Sequence, residues 1–523
     1  MNNAVSSPET QATVPASVAM LRVLQSWGVK HIYTATQAAL LTRRWRLWAP
    51  RKIVQYIQVR HEQVSALAAS ADAKLTGRVQ VCFGSAGPGA TNLLAGLYDA
   101  REDHASVVAL IGQVPTANMN YNYFQEFAEN PMFEDVAVYN RTVMAAESLP
   151  YVVDKAVREA YKHKGVAVVA IPNNFGYVQI PDKPYSSSSS TDRKPAPLPL
   201  PTDEEVKNVL DLIKAADEAF AAAVLVIALG SNFPFANIVY RTHKFKFVQI
   251  DADSGQFGSH RFLDYGVWSD AAAFVEKALE LSEPAESLPP FRAVVAANKN
   301  WQEYMTKMTN RPSDPLEFET VYKEINRIAE EDALFSIDVG DNIINSFRYL
   351  HLTPKNKWTI SALFASMGYG VPGSLAGTLS FPERQIFNIS GDGAFSMVMQ
   401  DIITQKKYNL PVINIITSNV SLNFIKSEQD DLPIPEHSGI FIEDQDFAMI
   451  ARGMGVEAVT VTKSDDLPAA FDKAVEVTKA GRPFLIDAKI TSKRGLPVEE
   501  LELHVENGNF VETINLVTTQ TAS

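Results

Sequence analysis

Short, wholly apolar runs alternate along this chain with longer stretches of helical spacing. Residues 79–83, 106–111 and 166–171 are apolar nearly throughout rather than at every second position, the pattern of strands buried on both faces. Between them, apolar residues recur at three- and four-residue intervals, and 63–74 reads as one such helix. Two further runs, 224–229 and 245–250, follow in the middle of the chain, and two more, 385–390 and 411–417, towards its end. The stretch 394–408 between the last pair has helical spacing. Strands alternating with helices predict an α/β fold of parallel sheets flanked by helices.

Composition divides the pattern. Five serines at 186–190 and then Pro195, Pro197, Pro199 and Pro201 read as an extended, solvated linker. A second boundary lies at 283–290, where Pro284, Pro289 and Pro290 interrupt the spacing. The expected organisation is a first domain over 1–181, a linker over 182–201, a short middle domain over 202–290, a third domain over 291–495 and a tail over 496–523 without clear periodicity. A length of 523 residues suits about three domains at ~150–200 residues each.

Charge and cysteine usage narrow the function classes. A net charge of −13 argues against nucleic acid or an anionic membrane as partner. The longest apolar run, 219–229, is too short to span a bilayer, and 1–17 has neither the basic start nor the apolar centre of a secretory signal. Cys82 is the only cysteine, so no intrachain disulfide can form. These features predict a soluble, cytoplasmic protein.

The chemistry concentrates at Gly391-Asp392-Gly393, at the end of one predicted strand, and Asn419, at the end of the next. Strand ends of parallel sheets are where α/β folds bind ligands. By itself Gly-Asp-Gly is usually a turn. With Asn419 beyond the neighbouring strand it becomes a candidate Mg²⁺ site, because Mg²⁺ takes hard oxygen ligands and is commonly shared with phosphates. Asp392, the Asn419 amide oxygen and the backbone carbonyl of Ser421 would supply the protein ligands. Gly391 and Gly393 would let a diphosphate approach the backbone, with Ala394 opening the following helix.

Gly-Asp-Gly followed by Asn resembles the signature of thiamine-diphosphate enzymes, and other segments resemble the pyruvate oxidase branch of that family. They are Val59-Arg60-His61-Glu62, the loop 84–92 (Gly-Ser-Ala-Gly-Pro-Gly-Ala-Thr-Asn), 98–104, 111–113, Phe124-Gln125-Glu126, 336–341, 363–368 and 424–428. The resemblance covers most of 17–180 and 300–495. It implies a pyrimidine-binding domain, a middle flavin-type domain and a diphosphate-binding domain. It also implies a cofactor held between two subunits, so that a dimer is the smallest active unit and a tetramer is usual. Carried over residue by residue, it makes Glu62 the carboxyl group that hydrogen-bonds the aminopyrimidine ring, a task suited to a carboxyl in an apolar pocket. It makes Met367 the apolar wedge beneath the cofactor, Phe124, Gln125, Phe424 and Glu428 the substrate-side residues, and Gly87 a cofactor contact. Gly230, Asn232, Asp251 and Asp270 match flavin contacts. The implied cofactors are thiamine diphosphate, Mg²⁺ and FAD. The implied reaction converts pyruvate, phosphate and O2 to acetyl phosphate, CO2 and H2O2. A flavin-independent 2-oxo acid decarboxylase or carboligase, and a non-catalytic remnant of the family, are the alternatives.

The resemblance breaks twice. At 34–52 the family has a glycine-rich loop, whereas this chain has a segment with Trp45, Trp48 and three arginines, Arg43, Arg44 and Arg46. Starting each codon one base earlier, residues 34–43 permit Tyr-Gly-Tyr-Pro-Gly-Gly-Ser-Ile-Asn-Ser, the family's loop, which points to compensating frameshifts. The second break falls between 216–219 and 221–230, where family members carry a further stretch that completes one side of the flavin site. The middle domain is correspondingly short against a usual ~100–150 residues.

Overall fold

The computed structural model describes residues 12–35, 54–186, 198–218, 225–231, 245–283, 313–430, 436–492, 501–506 and 509–514, with scattered positions between 295 and 311 and Leu432. The anomalous segment 36–53 and the gap region 219–224 lie outside the described residues. Two compact units divide the chain, one formed by 1–193 with 296–523 and the other by 194–295.

The first unit contains two six-stranded parallel sheets. At its start β1 (Thr13–Pro15) is followed by β2 (His31–Thr34), β3 (Gln55–Gln58), β4 (Gln80–Gly84), β5 (Val107–Gln113), β6 (Ala137–Thr142), β7 (Val166–Pro172) and β8 (Gln179–Pro181). Strands β2 to β7 form the first sheet in the order β3-β2-β4-β5-β7-β6, and β1 pairs antiparallel with β8 beside it. β4, β5 and β7 are buried along their whole length, which is why their sequences are continuously apolar.

The second unit holds β9 (Leu225–Leu229), β10 (Lys246–Asp251) and β11 (Tyr265–Trp268), parallel strands in the order β11-β10-β9. Helices Asp203–Glu218 and Ala271–Leu281 cover them, and Val206, Val209, Val248, Ile250, Val267 and Phe274 form the core. Among the described residues β9 is an edge strand and only half-buried, with Leu229 exposed.

The first unit resumes with β12 (Leu334–Ile337), β13 (Lys357–Thr359), β14 (Ile386–Gly391), β15 (Val412–Ser418), β16 (Glu457–Val461) and β17 (Phe484–Lys489). Their order, β13-β12-β14-β15-β17-β16, repeats that of the first sheet strand for strand. The helix expected over 394–408 is broken. It runs as Asp392–Val398, a 3₁₀ turn Met399–Asp401, and Ile402–Lys407. The tail, expected to lack periodicity, pairs β18 (Leu501–Glu506) with β19 (Asn509–Ile514) as an antiparallel ribbon, and β18 alternates apolar with polar residues.

Helix Glu62–Thr76 packs against helix Gly370–Ser380, and the two halves of this unit share one apolar core that includes Ala66, Leu93, Val371, Leu375 and Phe395. Polar contacts reinforce the seam. Ser380 Oγ donates to Asp72 Oδ1 at 2.5 Å, and Tyr33 donates to Asp72 Oδ2 at 2.8 Å. Lys74 Nζ donates to Asp99, Asp103 and the Ile360 carbonyl, while Asp103 accepts the N–H groups of Ala362 and Leu363. No helix among the described residues is long and apolar enough to cross a membrane.

Candidate functional site

Parallel pairing of β14 with β15 sets Gly391 opposite Thr417, so Asp392 and Asn419 leave the sheet side by side at its C-terminal edge. The Asp392 carboxylate is buried and tied to the backbone. Oδ2 accepts the N–H groups of Asn419 at 2.9 Å and Val420 at 2.6 Å, and Oδ1 accepts that of Gly393 at 2.8 Å. Burial pushes this carboxyl up from its ordinary range, and the three backbone donors and Lys489 pull the other way. A carboxylate offers roughly four lone-pair positions, so three N–H donors leave room for a cation. The Asn419 amide oxygen accepts from Ser421 N–H at 3.1 Å, and the buried Ser421 hydroxyl has no partner among the described residues. Between them Val420 stands at φ 60°, a left-handed conformation rare for a β-branched residue. This donor set fits one Mg²⁺ bound through a single carboxylate and shared with phosphates. Among the described residues no group of three or more His, Cys, Asp or Glu forms an all-protein metal cluster.

Gly391 leaves room for a ligand, whereas Gly393 is needed because the protein itself packs against it. A Cβ on Gly391 would meet nothing nearer than Asn342 Nδ2 at 3.5 Å. On Gly393 it would lie 2.6 Å from Leu422 Cδ2 and 3.5 Å from Met367 Cε, so Met367 borders the same loop; Ala394 behind them is buried. Met367 is held by a residue that the sequence motifs left without a role. Asp338, fully buried just past β12, accepts Val339 and Gly368 N–H at 2.9 Å and Tyr369 N–H at 3.1 Å on Oδ1. On Oδ2 it accepts Gly370 N–H at 2.9 Å and Ser390 Oγ–H at 3.1 Å. Its place at the end of an apolar strand is visible in the sequence, but its partners are mostly backbone amides, which no residue pattern encodes.

Glu62 belongs to a second cluster. It opens the helix Glu62–Thr76, is only 7 % exposed, and accepts from Asn92 Nδ2 at 3.3 Å. Burial rules out a solvated helix-start acid. Asp401 of the other half fixes the approach to it by accepting Arg60 N–H at 3.0 Å, a second positioning contact that the motifs did not reveal. The loop after β4 closes over Glu62. Gly84 has no room for a Cβ, which would fall 2.2 Å from the Gly89 carbonyl oxygen, and a Cβ on Gly89 would reach Glu62 Oε1 at 3.4 Å. Gly87 lies against Gln125, whose Cβ is 3.1 Å from the position a Gly87 Cβ would take. Phe124 beside it is 79 % exposed. Phe424 and Glu428 sit on helix Asn423–Asp430, just beyond Ser421, with Phe424 half-buried and Glu428 exposed.

The chain thus builds two half-sites, one around Glu62, Gly87 and Gln125 and one around Asp392, Asn419 and Met367. No hydrogen bond among the described residues joins Glu62 to the Asp392 loop. In the second unit, Gly230, Asp251 and Asp270 stand at the C-terminal edge of the three-stranded sheet. Gly230 has φ 60°, Asp251 Oδ1 accepts Asp253 N–H at 2.9 Å, and Asp270 caps helix Ala271–Leu281 through Ala273 N–H at 3.1 Å. Asn232 lies outside the described residues.

Each of the two sheets of identical order thus carries a polar cluster beyond its C-terminal strand edge, where parallel α/β sheets bind ligands, and the second pins Asp392 to the backbone beside Asn419. Family models agree. The N-terminal thiamine pyrophosphate-binding domain matches residues 16–132 and the C-terminal one matches 338–488. The chain belongs to the thiamine pyrophosphate enzymes, in a pyruvate oxidase-like family. It is 40% identical to pyruvate oxidase of Lactiplantibacillus plantarum, over 94% of this chain and 91% of that protein. It is 32% identical to YdaP of Bacillus subtilis, described as thiamine pyrophosphate-containing, over 92% of each. An acetolactate synthase large subunit of Pyropia yezoensis is 25% identical over 93% of each chain.

Proposed function

We propose that this enzyme oxidatively decarboxylates pyruvate, with phosphate and O2, to acetyl phosphate, CO2 and H2O2. The observation that carries the reading is the Asp392 loop, a buried carboxylate fixed by three backbone donors beside an Asn amide, in a chain similar to a pyruvate oxidase over most of its length. Thiamine diphosphate, when bound, supplies the carbon nucleophile and electron sink that decarboxylation of a 2-oxo acid needs. Asp392, Asn419 and the Ser421 carbonyl would hold Mg²⁺ against the diphosphate, and Gly391 leaves it space. Met367 would support the cofactor from below. Glu62 would hold a proton at the aminopyrimidine ring, in a buried position where a carboxyl exchanges protons with the ligand rather than with water. Gln125 and Glu428 can hydrogen-bond a carboxylate or a developing oxyanion, and Phe124 and Phe424 suit a methyl group.

The two half-sites would meet across a homodimer, one subunit supplying Glu62 and the other Asp392, with a tetramer as the expected assembly. The exposure of Phe124 and of Glu428 supports this. Gly230, Asp251 and Asp270 would take part in holding FAD, at the strand edge where such folds bind nucleotides.

A flavin-independent decarboxylase or carboligase is the second reading. It is favoured by the similarity to an acetolactate synthase large subunit. The alignment with the Lactiplantibacillus plantarum enzyme runs over 553 positions yet covers 94% of a 523-residue chain, so it opens gaps in this chain. That supports the absence of residues its relatives have.

Peroxide, acetyl phosphate and CO2 measured together from pyruvate, with the flavin spectrum of the purified protein, separate the readings. All three products with bound flavin support the oxidase. CO2 without peroxide replaces it with the second reading, and no product from a protein that holds its cofactors removes both.

A further inference from the structure

Between β5 and helix Glu129–Met132 the chain makes an exposed loop in which three non-glycine residues take left-handed conformations, Asn120 at φ 67°, Asn122 at φ 55° and Gln125 at φ 64°. Asparagine tolerates that region, whereas glutamine does so at a cost that something must offset. One side chain gathers the loop. Glu126 Oε1 accepts the N–H of Asn120, and Oε2 accepts that of Tyr123 at 2.9 Å. The Glu126 N–H donates in return to the Tyr123 carbonyl at 2.9 Å. The amides of Asn120 and Tyr123, then those of Tyr121 and Asn122, hold its carboxyl below the usual carboxylate range. Successive backbone N–H groups turned towards one anion form a concave nest, here occupied by the chain's own carboxylate. The loop thereby presents Tyr121, Tyr123 and Phe124 outwards, and sets Gln125 against Gly87, two residues from the Gly89 position that faces Glu62.

We propose that Glu126 is a positioning residue, whose carboxylate locks the left-handed turn that sets Gln125 against Gly87, beside the site around Glu62, and holds Phe124 on the outer face of the loop. The placement of the turn stands on its own geometry. Its consequence for substrate rests on the reading of Phe124 and Gln125 as substrate-side residues. Glu126 lies on an exposed loop, so its variants should fold.

The test compares the full-length protein with Glu126→Gln and Glu126→Ala by hydrogen–deuterium exchange. The Asn120 and Tyr123 amides should exchange roughly tenfold or more faster in Glu126→Ala, since a hydrogen bond to a charged group is lost. Glu126→Gln should fall between, and peptides spanning Asp392 should be unchanged. In an active enzyme, Glu126→Gln should also raise KM for pyruvate several-fold, with kcat reduced less and thiamine diphosphate affinity unaltered. Equal exchange in all three proteins overturns the proposal, and so does faster exchange with an unaltered KM. A wild type that ignores pyruvate refutes the functional reading instead, and the exchange measurement alone then decides the role of Glu126.

Discussion

Replacing Asp338 by Asn keeps the shape of the side chain and removes its charge, at the point where five donors converge. With the amide nitrogen at the Oδ2 position, Gly370 N–H loses its acceptor and faces another donor. Ser390 adapts, because its hydroxyl also reaches Asn388 Oδ1 at 2.8 Å and can accept from the new amide. A stranded buried N–H costs ~1–3 kcal/mol, and three N–H bonds reduced from charged to neutral cost about 1 kcal/mol each. Against this, burial already disfavours the Asp338 carboxylate, so neutralising it returns part of the loss. The balance is about 2–4 kcal/mol against the variant, concentrated on the turn that carries Met367. That corresponds to roughly 30- to 700-fold faster hydrogen exchange at Gly368, Tyr369 and Gly370. Exchange by mass spectrometry on peptides across 366–371 reads it directly, and thiamine diphosphate affinity should fall with it. Protection within twofold of wild type would show that the five contacts do not hold the turn.

Glu62→Gln should retain the cofactor and lose most of the enzyme-accelerated exchange of the thiazolium C2 proton, because an amide matches the carboxyl in shape but transfers protons poorly. Equal exchange rates in wild type and variant remove Glu62 from the chemistry. Asp72, fully buried between Ser380 and Tyr33, has its carboxyl pushed up by burial from 3.8 to about 6. Between those values the folded protein holds a proton that the unfolded chain has released, so this group makes stability fall as pH rises from about 4 to about 6. The whole contribution is about 3 kcal/mol, and urea unfolding of Asp72→Asn against wild type across that range should show it disappear. A difference between the two that does not vary with pH contradicts this.

The central strands of the two six-stranded sheets were legible in the sequence, because strands buried on both faces must be apolar throughout, whereas the shorter and outer strands were not read. The runs 79–83, 166–171 and 411–417 fall within a residue of β4, β7 and β15. Helical spacing over 394–408 matched helical backbone but not its tightening to a 3₁₀ turn at Met399–Asp401, where Asp401 accepts Arg60 N–H and the Thr404 hydroxyl, since such a tertiary contact leaves no periodic trace. The β18–β19 ribbon was missed although Leu501, Leu503 and Val505 alternate with Glu502, His504 and Glu506, a two-residue pattern that marks a strand. At the site, Asp392 and Asn419 could be read from strand ends and spacing. Asp338 could not, because its partners are backbone amides about 30 residues away and any sequence supplies those. Glu126 stood inside a recognisable motif, yet its role depends on left-handed backbone at three neighbours, which residue names alone do not encode.

The central claim is that Asp392 anchors a Mg²⁺-bound diphosphate, and calorimetric titration of thiamine diphosphate with and without Mg²⁺ tests it most directly. Wild type should bind only when Mg²⁺ is present. Asp392→Ala removes the single anionic ligand and should weaken binding by at least roughly 100-fold, the upper end of what loss of an outer-shell partner costs. Asn419→Ala, which removes a neutral ligand, should weaken it less. Equal affinity in wild type and Asp392→Ala, or wild-type binding that ignores Mg²⁺, would contradict the assignment of this loop.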